Sequence, residues 1–131
     1  MIVDTSAVVA VVRREPERSS FLTALDREPV NRISAASYSE SAIVMDGSRS
    51  PSLSRGLDEF IRAAELTIEP VTAHQAKIAR EAYRDFGKGS GRPAQLNLGD
   101  CFAYALAKDL DEPLLFKGGD FAHTDVRCAI S

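Results

Sequence analysis

Strand-like and helix-like stretches alternate along this chain, and that alternation limits the folds open to it. The chain starts with a very short apolar run, Met1-Ile2-Val3, that stops at Asp4. Asp4 or Thr5 then caps a helix expected over Ser6–Arg13, with Val8, Val9, Val11 and Val12 largely buried. Pro16 starts a second helix reaching Arg27, with Phe21, Leu22 and Leu25 at inward spacing. Arg32–Ser34 reads as a strand. Ser37-Tyr-Ser-Glu40 has the form of a capping box, opening a helix through Ala42, Ile43, Val44 and Met45. GSRSPSLS, Gly47–Ser54, is a loop by composition. A helix over Leu57–Ala64 leads to a strand at Leu66–Glu69. Thr72 then caps a helix to Phe86, with Gln75 completing a second capping box. After the connector Gly87–Pro93 come an apolar helix, Leu98–Lys108, and a strand at Leu114–Lys117. Gly118-Gly119-Asp120-Phe121 makes a turn, and Val126–Ile130 offers a last short strand. This order predicts an α/β sandwich around a mostly parallel sheet. With no internal repeat or visible boundary, residues 1–131 read as one domain.

Composition narrows the setting. Apolar and charged fractions of 44% and 27% are those of an ordinary globular protein. The opening residues lack the basic flank of a secretory signal, and no apolar run approaches the roughly 18–20 residues a membrane span needs. Cys101 and Cys128 make no disulfide framework, so a reducing interior, the cytoplasm, is expected. Together with His74 and His123 they show no finger-like spacing for zinc. A net charge of −3 argues against global attraction to nucleic acid, leaving a local basic stripe or a bound cation.

The residue that demands an explanation is Asp100. It opens LNLGDCFAYALAKDL, which from Cys101 to Ala107 is apolar on nearly every side. A bare carboxylate buried there would cost several kcal/mol or take up a proton. In parallel α/β sheets, active groups gather beyond the carboxyl ends of strands. Asp4 follows the first strand, Asp120 follows the strand at Leu114–Lys117, and Glu40 and Asp100 stand in first turns of helices. Each acid also has an ordinary explanation: an N-cap for Asp4, a capping box for Glu40, the helix dipole for Asp100 and a turn for Asp120. If the four converge, they repel one another unless a hard cation, Mg²⁺ or Mn²⁺, joins them. Such a site suits phosphodiester hydrolysis.

MIVDTSA, ASYSESAIV, LNLGDCFAYALAK and PLLFKGGDFAHTDV together resemble a PIN domain, and more closely the VapC toxins of bacterial VapBC toxin–antitoxin modules. The similarity covers essentially the whole chain, with the motifs in family order. It implies a three-layer sandwich and a Mg²⁺-dependent endoribonuclease acting on RNA, blocked by a cognate VapB-like antitoxin and expected to be a homodimer. By this resemblance Asp4 and Asp100 are the principal metal ligands and Glu40 is the third acid. The fourth falls in the GGDF segment. Many relatives have an acid or amide where this chain has Gly119, which leaves Asp120, with Asp125 as its rival. Ser6 and Thr124 fit as hydroxyls orienting carboxylate or phosphate, or as plain cap and turn residues.

Lys77, Arg80 and Arg84 recur at helical spacing, with Lys88 and Arg92 beyond them. They read either as an RNA-phosphate stripe or as a solvated face paired with Glu81 and Asp85. Phe21, Leu22, Leu25, Leu57, Phe60 and Ile61 serve the core and, by the resemblance, a groove for an amphipathic antitoxin segment. The alternative function is a catalytically silent PIN-like module that binds RNA or protein. A phosphoacceptor signalling domain fits less well, because only Asp4 stands between Val3 and Thr5.

Overall fold

A computed structural model describes residues 1–130; the end of the expected 1–131 domain, Ser131, lies outside the described residues. The elements run β1 (Ile2–Val3), α1 (Thr5–Val12), α2 (Arg18–Arg27), β2 (Arg32–Ser34), α3 (Ala35–Gly47), α4 (Pro51–Ala63), β3 (Thr67–Glu69), α5 (Ala73–Phe86), α6 (Leu98–Leu110) and β4 (Leu114–Leu115). A single 3₁₀ turn, Phe121–His123, follows. The four strands form one sheet in the order β3-β2-β1-β4, every pair parallel. Ile2 pairs with Arg32 on one side and Leu114 on the other, and Ile33 pairs with Ile68.

Alternation along these short strands divides the interior in two. Val3, Ile33 and Leu115 face a core built with Val8, Val11, Phe21, Leu57 and Phe60. Ile2 and Leu114 face the opposite core, with Ala79, Leu96, Ala103 and Leu106 from the α5–α6 side. Strands of two or three residues carry few ladder hydrogen bonds, so burial on both faces holds β1, β2 and β4, while β3 is a mostly exposed edge held by its pairing with β2. Helices therefore cover the sheet above and below, giving the three-layer α/β sandwich. Among the described residues no helix is long and apolar enough to cross a membrane.

Several expected boundaries move. The loop expected at Gly47–Ser54 is largely helix: Ser50 accepts the Leu53 amide and Pro51 is the first helical residue. Serine followed by proline is a helix start as readily as a loop. The cap of α3 is Ser34, which ends β2 and accepts the Ala36 amide; Ser37 is inside the helix and fully buried, so Glu40 is not part of a capping box. Thr72 does cap α5, but Gln75 does not close the box, because its amide reaches across to donate to Asp109 on α6 at 3.0 Å. The strand expected in Val126–Ile130 is reduced to one bridge, Leu114 to Cys128.

Candidate active site

The chain leaves β1 toward β2 on one side, while β4 lies against β1 on the other. The crevice of such a sheet opens at this reversal, beyond the carboxyl ends of β1 and β4. Asp4 is the first residue after β1 and the N-cap of α1. Its backbone amide donates to Leu115 at 3.0 Å, tying it to the end of β4. From there the chain turns through Gly118, whose φ of +102° suits glycine, and delivers Asp120.

Asp4 is only 2% exposed. Its Oδ2 accepts the Ser6 amide at 2.9 Å and the Ser6 hydroxyl at 2.6 Å. The Ser6 oxygen accepts in turn from the Lys117 amide at 2.9 Å, which fixes the direction of the hydroxyl proton. The other oxygen, Oδ1, is buried and has no partner. Burial pushes this carboxyl up to about 7, against the pull of the two Ser6 bonds and with further push from the charges of Asp100 and Glu40.

Asp100 is the third residue of α6. It closes a capping box with Asn97: its Oδ2 accepts the Asn97 amide at 2.9 Å, and Asn97 Oδ1 accepts the Asp100 amide at 2.9 Å. Its carboxyl is also raised, first by burial, opposed by the Asn97 bond, then by the charges of Glu40 and Asp120. Capping and site chemistry are therefore compatible. In Asp4 and in Asp100, one carboxylate oxygen holds a helix end while the other makes no hydrogen bond among the described residues. Glu40 is half-buried on α3, with its carboxylate against the Cα of Gly99. Burial and the Asp100 charge push the thiol of Cys101, next in sequence, up to about 11, away from the thiolate form.

The structure thus brings Asp4, Glu40 and Asp100 within electrostatic reach of one another, and Asp120 within reach of Asp100. Asp125 is elsewhere engaged, accepting the Tyr104 hydroxyl at 2.6 Å and the Lys108 ammonium at 3.1 Å, and its carboxyl is held below the usual range. Thr124 donates to the Phe121 carbonyl as a turn residue. Ser6 is committed to Asp4. Lys77, Arg80 and Arg84 are exposed on the side of α5 away from its buried Gln75, Ala79 and Ala82, and Arg84 pairs with Asp85 at 3.1 Å. Phe21, Leu25, Leu57 and Phe60 are core residues, whereas Leu22 and Phe60 also line a groove of about 260 Å³ among α1, α2 and α4. Gly99 is the participant that motif reading passed over; its signal was a helix-disfavouring glycine in the first turn of a helix.

The donor set suits a hard cation. Among the described residues, no three of His, Cys, Asp and Glu stand close enough to hold an ion between them. Mg²⁺ ordinarily takes only one or two protein carboxylates and fills its octahedron with water and phosphate oxygens. An unpartnered buried oxygen on Asp4, among acids that repel one another, fits that requirement.

Comparison with known proteins agrees with this geometry. Residues 1–127 match the family model for the PIN domain. Ribonuclease VapC28 of Mycobacterium tuberculosis is 56% identical over 130 residues, spanning 99% of this chain and 98% of that protein. The crystal structure of Mycobacterium tuberculosis VapC20, a Sarcin-Ricin loop cleaving toxin, has a TM-score of 0.70 at 17% identity, covering 96% of this chain and 98% of that one. A toxin–antitoxin complex from Klebsiella pneumoniae has a TM-score of 0.68 at 19% identity, covering 95% of this chain and 92% of that one. The distant structures speak for the fold, and the close relative and the family model speak for descent: this chain belongs to the PIN domain family, in its VapC group of toxin–antitoxin ribonucleases.

Proposed function

We propose that the chain is a Mg²⁺-dependent endoribonuclease, the toxin of a type II toxin–antitoxin pair, which hydrolyses RNA phosphodiester bonds in the cytoplasm as a single PIN domain. One observation carries this reading: a fully buried carboxylate, Asp4, keeps an unpartnered oxygen beside two further acids. A protein gains nothing in stability from such an arrangement, which burial and repulsion both oppose. Asp4 and Asp100 are the residues to hold Mg²⁺, with Mn²⁺ as a substitute. When bound, the ion supplies a Lewis acid for the phosphate and a lowered pKa for the attacking water.

The chain's own residues do the rest. Ser6, held by the Lys117 amide, orients Asp4 so that one oxygen stays available. Asn97 does the same for Asp100. Glu40 and Asp120 complete the acidic rim, Glu40 as the acceptor for the attacking water and Asp120 as the fourth acid. Lys77, Arg80 and Arg84 supply sequence-independent contacts to RNA phosphates on the outer face of α5. A VapB-like antitoxin is the proposed protein partner, its amphipathic segment lying along the groove of Leu22 and Phe60 and blocking cleavage; homodimerisation is proposed with it.

The test is a purified-protein assay on RNA with Mg²⁺, with EDTA, and with Asp4→Asn. Cleavage should require the cation and disappear in the variant, while Asn keeps an acceptor for the Ser6 amide and the fold survives. Cleavage that persists with EDTA and in Asp4→Asn would overturn the proposal. RNA binding without cleavage under every condition would favour the silent module.

A further inference from the structure

Glu40 differs from the acids around it in how it is held. Ser6 clamps Asp4 and Asn97 clamps Asp100, but among the described residues no hydrogen bond reaches the Glu40 carboxylate. What it meets is the bare Cα of Gly99, the second residue of α6. A Cβ at Gly99 would lie 2.7 Å from the carboxyl carbon and from Oε1 of Glu40, far inside the roughly 3.5–4 Å of ordinary carbon contact. Because Gly99 sits inside a regular helix and not at a positive φ, its backbone does not call for glycine. Alanine would suit the helix better, so the missing side chain needs another reason.

We propose that Gly99 is a positioning residue, whose bare Cα is the seat that places the Glu40 carboxylate against the first turn of α6. The backbone amides there lack intrahelical acceptors and the helix dipole favours an anion, so the seat is electrostatically as well as sterically suited to a carboxylate. It lies one residue from Asp100. The seat fixes the distance between the third acid and the two proposed metal ligands. Any side chain at 99 displaces Glu40 from the cluster without touching Asp4 or the Asn97–Asp100 box. The inference rests on reading the cluster as a ribonuclease site, but the seat itself can be observed apart from activity.

The experiment compares the wild type, Gly99→Ala, Glu40→Asp and the double variant for Mg²⁺-dependent RNA cleavage and thermal melting. The side-chain carboxyl ¹³C resonance of Glu40 is followed in the wild type and in Gly99→Ala. Gly99→Ala should slow cleavage by about tenfold or more, since small misplacements of catalytic groups are costly, with Tm unchanged or raised. The penalty should shrink to less than about threefold in the Glu40→Asp background, where the shorter side chain clears the new methyl. The Glu40 resonance should move. Full activity in Gly99→Ala, or an equal penalty in both backgrounds, overturns the seat. If the folded wild type cleaves no RNA, the ribonuclease reading falls by itself and the resonance decides the seat, an unmoved signal in Gly99→Ala overturning it.

Discussion

The two ends of α6 each engage an aspartate, and the two aspartates are treated in opposite ways. Near the carboxyl end, Asp125 receives a hydroxyl from Tyr104 and an ammonium from Lys108, and its carboxyl is pulled down. At the amino end, Asp100 receives one backbone amide, faces Glu40 and Asp120, and is pushed up. Asp125 fastens the C-terminal segment onto the helix. Asp100 is held in place while part of its charge is left unanswered. Hence the presence of an acid says little, and the donors supplied to each of its oxygens say much. Charge left unpaired in a partly buried place marks the site, whereas charge fully answered marks a fastening.

The largest expected effect separates these two roles directly. Asp100→Asn should lower RNA cleavage by about a hundredfold or more, with little loss of stability, because the amide oxygen still accepts the Asn97 amide. Asp125→Ala should leave cleavage within about twofold and lower stability by roughly 1–2 kcal/mol, a modest figure because the Lys108 pair is solvent-screened. Cleavage rates and urea melts of both variants check this; the reverse pattern would break the comparison.

The next effect is the pH dependence of the metal-free protein. Unfolded Asp4 ionises near 3.8, while in the folded state it does so at about 7. Between those values the native state holds the extra proton, so this group makes stability fall as pH rises, by on the order of 4 kcal/mol in total, with no further change above pH 7. Asp125 has the opposite sign: its lowered carboxyl contributes stability above the unfolded value, lost as pH falls through its folded value. Urea melts in EDTA at pH 5 and pH 8 should show the wild type weaker at pH 8 and a clearly smaller decline in Asp4→Asn, where the raised carboxyl of Asp100 still contributes with the same sign. A wild type with no such decline would remove the ground for a strained carboxylate. The smallest effect concerns the outer face of α5. Lys77→Ala with Arg80→Ala should weaken RNA binding severalfold at low salt and hardly at all at high salt. Titrations at two salt concentrations measure it, and a salt-independent loss would show that the stripe does not act through phosphates.

Local signals carried much of this protein. A strand that stops at Asp4, a threonine cap at Thr72 and an apolar helix behind Asp100 are all written in neighbouring residues, and helix and strand periods follow from them. The same local rules misplaced Ser37 as a cap, because Ser34 carries an equally good signal three residues earlier and the interior claims Ser37. They also turned the Ser50-Pro51 helix start into a loop.

From residue order alone come the alternation of strands and helices, the parallel sheet and the identity of the acids worth asking about, since these depend on contacts a few residues apart. The engagement of Asp125 by Tyr104 and Lys108, the sharing of Asp4 and Asp100 between a helix end and the group of acids, and the approach of Glu40 to the bare Cα of Gly99 were decided only in three dimensions. Each depends on which donor, charge or void packing brings to an oxygen from tens of residues away, and no local pattern encodes that.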